Sequence, residues 1–153
     1  MKKNKMNEIL KDFTVIEKMS VRWGDMDARG HVNNTIYYRF FESSRIALFS
    51  FLNIYEEPTK TRIGPILSYQ SCYYKAPLIY PDTIYVGAKI TNIEGSKIII
   101  KHILISEKLN RIAAEGEAHI VWYNYEKKQK VNISDDLKHK LLKSKNQNQN
   151  IKN

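Results

Sequence analysis

The chain has 153 residues, 42% hydrophobic and 27% charged, which fits one soluble globular domain large enough to bury a core. Its net charge is +9, but segments 1–12 and 138–153 hold +7 of it, so the body between them is nearly neutral and nucleic-acid binding is not expected. No apolar run reaches the roughly 18 to 20 residues of a membrane span. No apolar stretch follows the N-terminal lysines, so no secretory signal is expected, and the single cysteine, Cys72, excludes an internal disulfide framework. The reducing cytoplasm is the expected compartment.

Residues 1–12 read as a flexible N-terminal segment, 13–143 as the domain, and 144–153 as a polar, low-complexity basic tail. Residues 14–23 alternate imperfectly and predict a first strand. Residues 35–52 contain no Gly or Pro. Their apolar positions Ile36, Tyr37, Phe40, Phe41, Ala47, Leu48, Phe51 and Leu52 follow helical spacing, with Ser44 on the same stripe. Arg39, Glu42 and Arg45 are placed toward the other side. Asn33, Asn34 or Thr35 can cap the start of this long helix.

A loop over 53–65 separates the helix from segments of period two. Residues 66–75 predict a Tyr-rich strand that Ala76-Pro77 should end or place at an edge. Strands follow over 83–91, 98–105 and 112–123, joined by turns at Glu94-Gly-Ser-Lys97 and Leu109-Asn-Arg111. The 98–105 strand is apolar on nearly both faces. A short helix is predicted over 134–143 with Ser134 as its cap. No second helix connects successive strands, so a doubly wound parallel sheet does not fit. The economical solution is α+β: an antiparallel sheet wrapped around one long central helix, an element order that matches the hotdog fold.

The segment between the first strand and the helix is chemically dense. Arg22-Trp-Gly-Asp25-Met-Asp27-Ala-Arg29-Gly30-His31-Val-Asn33-Asn34 carries two carboxylates, a histidine and two amides. Backbone N–H groups at a helix start are unpaired, and with the helix dipole they can polarise a carbonyl oxygen. A carboxylate just before them can attack that carbonyl or activate water. The same composition also suits a polar loop that only satisfies backbone groups. Asp25, Asp27 and His31 lack a further clear His or Cys ligand, so no metal site is expected. His102 and His119 fall within strands and read as structural.

The run WGDMDARGHVNNTIYYRFFESSR, from Trp23 to Arg45, strongly resembles the signature of the 4-hydroxybenzoyl-CoA thioesterase-like acyl-CoA thioesterases of the hotdog superfamily. The resemblance extends through Tyr74-Lys-Ala-Pro-Leu-Ile-Tyr-Pro-Asp82. It implies hydrolysis of a fatty or aromatic acyl-CoA, with Asp27 as nucleophile or general base and the backbone amide near Asn34 polarising the thioester carbonyl. His31 is a second-tier catalytic candidate, because His31-Val-Asn-Asn34 also looks like the corresponding run of acyl-carrier-protein thioesterases. The asparagine those enzymes place between the Asp and the His is Arg29 here. Asn33, Tyr37 and Glu42 are substrate-binding candidates and Asp25 a supporting one. Relatives bind the nucleotide with basic surface residues at varying positions; here Lys60, Arg62, Lys75, Lys97 and Lys101 lie in or beside loops that can reach the phosphates of coenzyme A, and Lys75 and Lys97 are the candidates. No cofactor is required, since coenzyme A is part of the substrate. Acyl carrier protein is the alternative carrier, and a homodimer or homotetramer with sites at the subunit interface is implied. A non-catalytic acyl-CoA-binding module is the alternative from another class.

Overall fold

A computed structural model describes residues 3–54 and 62–143 of the chain. Its elements are α1 (Lys3–Lys11), β1 (Val15–Ser20), a 3-10 turn (Trp23–Asp25), α2 (Asn34–Phe51), β2 (Ile63–Tyr74), β3 (Thr83–Glu94), β4 (Lys97–Ser106), β5 (Arg111–Asn124), β6 (Gln129–Lys130) and α3 (Asp135–Lys143). The main strands form one antiparallel sheet in the order β1-β3-β4-β5-β2, with the two-residue β6 paired to β5. Helix α2 packs on the concave face over β1, β3 and β4. This is the hotdog arrangement that the element order predicts. Among the described residues, no helix is long and apolar enough to cross a membrane.

The alternation of the strands decides which side chains meet α2. Ile98, Ile100 and Leu104 of β4 and Ala114, Ala118 and Ile120 of β5 are buried, as are Phe41, Leu48 and Phe49 of the helix. Ser44 lies in the same interior and donates its hydroxyl hydrogen to the Phe41 carbonyl at 2.9 Å. It therefore accepts from His102 Nδ1–H at 3.0 Å, which leaves the lone pair on Nε2, an atom with no hydrogen-bond partner among the described residues. Burial and the nearby Arg45 charge push the His102 pKa down to about 3, so the ring is neutral. As expected of a strand histidine, it is a core residue.

Arg45 departs from its expected place on the outer side of the helix: only 8% of it is exposed. It follows Ser44 directly on a helix buried along a wide face, and its long aliphatic stem lets it cover apolar surface.

The N-terminus also differs from expectation. Within the segment read as flexible, Lys3–Lys11 is helical, and Met6, Leu10 and the following Phe13 are buried against Ile103 and Ile105 on the convex face of the sheet. The apolar spacing Met6, Ile9, Leu10 and Phe13 supplies the buried stripe. Gly87 makes room for it, since a Cβ there would stand 2.8 Å from Phe13 Cγ. The helix explains why β4 is apolar on both faces: one side meets α2 and the other meets α1. The tail over 144–153 lies outside the described residues, and so do residues 55–61 of the expected loop.

Candidate active site

The dense segment folds as a chain of small, locally bonded turns. Asp25 Oδ2 accepts from Arg22 N–H at 2.8 Å, and its carbonyl accepts from Asn33 N–H at 2.9 Å. Met26 and Val32 form an isolated bridge, and Asp27 N–H donates to the His31 carbonyl at 2.8 Å. The turn at its tip closes through Gly30 N–H to the Asp27 carbonyl at 3.0 Å, with Gly30 at φ +77°, a left-handed conformation that glycine adopts without strain. Val32 N–H then donates to the Leu78 carbonyl at 2.9 Å, which pins the segment to the β2–β3 connection.

Asp27 is exposed on this turn. Its Oδ1 accepts from Arg29 N–H at 2.8 Å, while Oδ2 has no protein partner among the described residues. One oxygen thus orients the carboxylate and the other is available for chemistry. Asp25 differs from it, because it braces both ends of the segment.

Helix α2 starts beside this turn. Asn33 is its N-cap, and Asn33 Oδ1 accepts from Thr35 N–H at 2.9 Å and from the Thr35 hydroxyl at 2.7 Å. The Asn33 carbonyl takes Ile36 N–H at 3.0 Å. Asn34, at the first helical position, has an N–H with no intrahelical acceptor. The polarising amide expected near Asn34 therefore sits at a true helix start. Asn33 itself is used by the cap, a role that substrate binding would have to displace.

A cleft of about 340 Å³ opens here, lined by His31, Val32, Asn34, Tyr37, Tyr74, Lys75, Ala76 and Pro77. One wall is the start of α2 and the other the end of β2. Tyr37 is buried, and its hydroxyl accepts from Leu78 N–H at 3.3 Å. Burial raises its pKa, opposed by that bond, so the phenol stays protonated. It holds the wall rather than offering its hydroxyl to the cleft. Tyr74 donates its hydroxyl to the Asn34 carbonyl at 3.0 Å and packs edge-on against Tyr37, with ring centroids 5.0 Å apart. Partial burial and the neighbouring Cys72 and Tyr38 raise the Tyr74 pKa, so it too remains a donor. Burial likewise pushes the Cys72 thiol up to about 11, which keeps it a poor nucleophile.

The structure brings His31, Asn34, Tyr37 and Lys75 together along the cleft and leaves other candidates apart. Asp27 does not line the cleft itself; it stands on the turn bonded to His31. Glu42 lies two turns along α2 and pairs with Arg39 at 2.6 Å. Lys75 pairs closely with Glu115. Lys97 pairs with Glu94 at 3.1 Å, at the β3–β4 turn. Lys75 N–H bonds Ala113 O whereas Lys97 stands opposite Val121, so the two lysines sit about 25 Å apart along β5. Lys60 lies outside the described residues. Sequence reasoning does not single out Tyr74, although it opens the Tyr74–Asp82 stretch that carries the second part of the resemblance.

Comparison with known proteins identifies the class. The model of the thioesterase-like superfamily matches residues 21–141, and the chain belongs to that superfamily of thioester hydrolases. An uncharacterised protein, YsmA of Bacillus subtilis (strain 168), is 28% identical over 130 residues, covering 85% of this chain and 86% of that protein. The structure of the PA2801 protein of Pseudomonas aeruginosa superposes with a TM-score of 0.73 at 28% identity, covering 83% of this chain and 97% of that one. A thioesterase of Thermus thermophilus, solved with coenzyme A and Zn, superposes with a TM-score of 0.77 at 20% identity, covering 88% of this chain and 96% of the other.

Proposed function

We propose that this protein hydrolyses an acyl-CoA thioester, fatty or aromatic, to the free acid and coenzyme A. Asp27 acts as nucleophile or general base, and the Asn34 amide at the start of α2 polarises the thioester carbonyl. The observation that carries this reading is the juxtaposition of two features. A carboxylate oriented through Oδ1, with Oδ2 open, stands on a turn that leads within seven residues to an unpaired helix N-terminal amide beside a cleft. A thioester needs little more. Its carbonyl is electrophilic, and the thiolate leaves without a strong acid. In the nucleophilic form, Asp27 displaces the thiolate to give an anhydride that water then hydrolyses. In the general-base form, Asp27 takes a proton from water as the water attacks the carbonyl carbon. His31 lies beside the cleft on the same turn and is the second-tier catalytic group.

Coenzyme A as the carrier is supported by the Thermus thermophilus structure solved with it. A second copy of the chain is supported by the sheet edge. Among the described residues β2 pairs only with β5, and its Ile66, Leu67, Tyr69 and Tyr73 are exposed, Tyr73 to 77%. An open edge carrying apolar side chains suits pairing with another strand. The domain alone, without a partner copy, leaves that edge to solvent.

The test is a panel of acyl-CoA thioesters of varied length and of aromatic type, with the same acyl groups on acyl carrier protein, followed by thiol release. Asp27→Asn should lose at least about a hundredfold in kcat while keeping the native circular dichroism. Turnover near wild type by that variant removes Asp27 from the mechanism. Tight acyl-CoA binding without turnover by the unmodified protein would favour a binding module.

A further inference from the structure

We infer that Tyr74 is a positioning residue for this reaction: its hydroxyl holds the first turn of α2 so that the Asn34 amide faces the cleft. The inference rests on the reading of that amide as the carbonyl-polarising group.

Tyr74 is the last residue of β2, and Asn34 is the first of α2. The two are 40 residues apart in sequence and joined by the 3.0 Å bond from the Tyr74 hydroxyl to the Asn34 carbonyl. That carbonyl already has a place in the helix ladder, so Tyr74 uses its second lone pair. Loss of the hydroxyl therefore leaves the helix intact and frees only its orientation. Of the other bonds near this helix start, those of Asn33 and Asp25 stay within its own entry, and that of Val32 precedes the helix. Tyr37 reaches the opposite wall, but at Ala76 and Leu78, and from the second half of the first turn. The Tyr74 hydroxyl instead ties the strand wall to the peptide unit next to the Asn34 amide. Its ring is fixed in turn by the edge-on contact with Tyr37.

An amide donor accelerates attack on a carbonyl only when it is aimed at the developing oxyanion, and small errors of aim are costly. A group that sets this aim without touching substrate should act on kcat more than on KM.

The experiment uses the full chain with two variants, Tyr74→Phe, which keeps the ring, and Tyr74→Leu, which removes it. Kinetics with benzoyl-CoA and hexanoyl-CoA should show kcat down about tenfold in Tyr74→Phe with KM within about twofold. A second readout is the infrared stretch of isotope-labelled thioester carbonyl in the same two thioesters, bound to Asp27→Asn protein. The bound carbonyl should absorb at lower frequency than in water, and adding Tyr74→Phe or Tyr74→Leu should reverse much of that shift. An unchanged kcat in folded Tyr74→Phe, or an unchanged carbonyl shift in both double variants, overturns the role of Tyr74 and leaves the helix amide standing. No shift in Asp27→Asn alone overturns the helix amide itself, and the positioning role with it.

Discussion

Phe41 occupies the volume that any side chain at position 116 would need. A Cβ built on Gly116 runs into the Phe41 ring edge and comes to 2.7 Å from the Ser71 carbonyl oxygen. Gly116 lies in β5 between His102 of β4 and Cys72 of β2, so the Phe41 ring reaches the far half of the sheet only because this position is bare. The same ring stacks on His102 with centroids 5.0 Å apart. Gly116→Ala should therefore destabilise the fold by about 1–3 kcal/mol, since the obstructing carbonyl belongs to the β2 backbone and cannot rotate away. Urea unfolding measures the loss. Pairing it with Phe41→Leu should recover part of the deficit, as expected for coupled neighbours; strict additivity of the two losses would mean that the ring is not the obstacle.

His102 gives the fold a pH dependence of defined sign. Its folded pKa is about 3, below the ordinary histidine value of 6.5. Between those values the unfolded chain binds a proton that the folded one does not. The stability from keeping the ring neutral is thus complete above about pH 6.5 and falls as pH drops toward 3, by up to about 1.4 kcal/mol per pH unit. From pH 6.5 to pH 5 the loss should approach about 2 kcal/mol in urea titrations. His102→Asn, which keeps a donor toward Ser44, should be less stable at neutral pH and lack this slope. An identical slope in the variant would assign the effect to other groups.

Much of this architecture was legible because strand alternation and the uninterrupted stripe from Ile36 to Leu52 are strong local signals. The predicted helix over 35–52 is found at Asn34–Phe51, and Ala76-Pro77 follows the strand that ends at Tyr74. Ser134 does cap the last helix, through Leu137 N–H at 3.2 Å. What escaped are features that depend on contacts distant in sequence. Helix α1 is short and rich in lysine, so by itself it resembles a solvated tail; the signal for it lay in Ile103 and Ile105, apolar on a face that α2 does not reach. Arg45 is buried for the company it keeps, not for its type. In the site, the Asp27 turn and the helix start were readable from one continuous motif. Tyr74 was not, because its role exists only once β2 is folded back against α2.

Asn33 provides a separation between capping and substrate binding. Its side chain serves Thr35, so Asn33→Ala should cost about 1 kcal/mol of stability, while Asn33→Asp, an equally good cap, should cost little. If the cap is its function, kcat will fall in the alanine variant through a loosened helix start and be restored in the aspartate variant. A residue that instead donated its side-chain amide to substrate would fail in both, with a higher KM, because aspartate has no N–H to give.

Lys75 and Lys97 were expected to serve the same phosphates, but the sheet register separates them. Lys75 lines the cleft beside the α2 start, whereas Lys97 sits at the far end of the sheet in its pair with Glu94. Lys75 is also held by Glu115, so its ammonium is placed rather than free to swing. Lys75→Ala should raise KM for an acyl-CoA several-fold, by an amount that shrinks as salt is added, because the interaction with phosphate is exposed and screened. Lys97→Ala should leave KM within about twofold, as expected for loss of a surface ion pair. Steady-state kinetics at low and high ionic strength separates the two. A comparable rise in both variants would mean that a second copy brings the β3–β4 end of its sheet to this cleft.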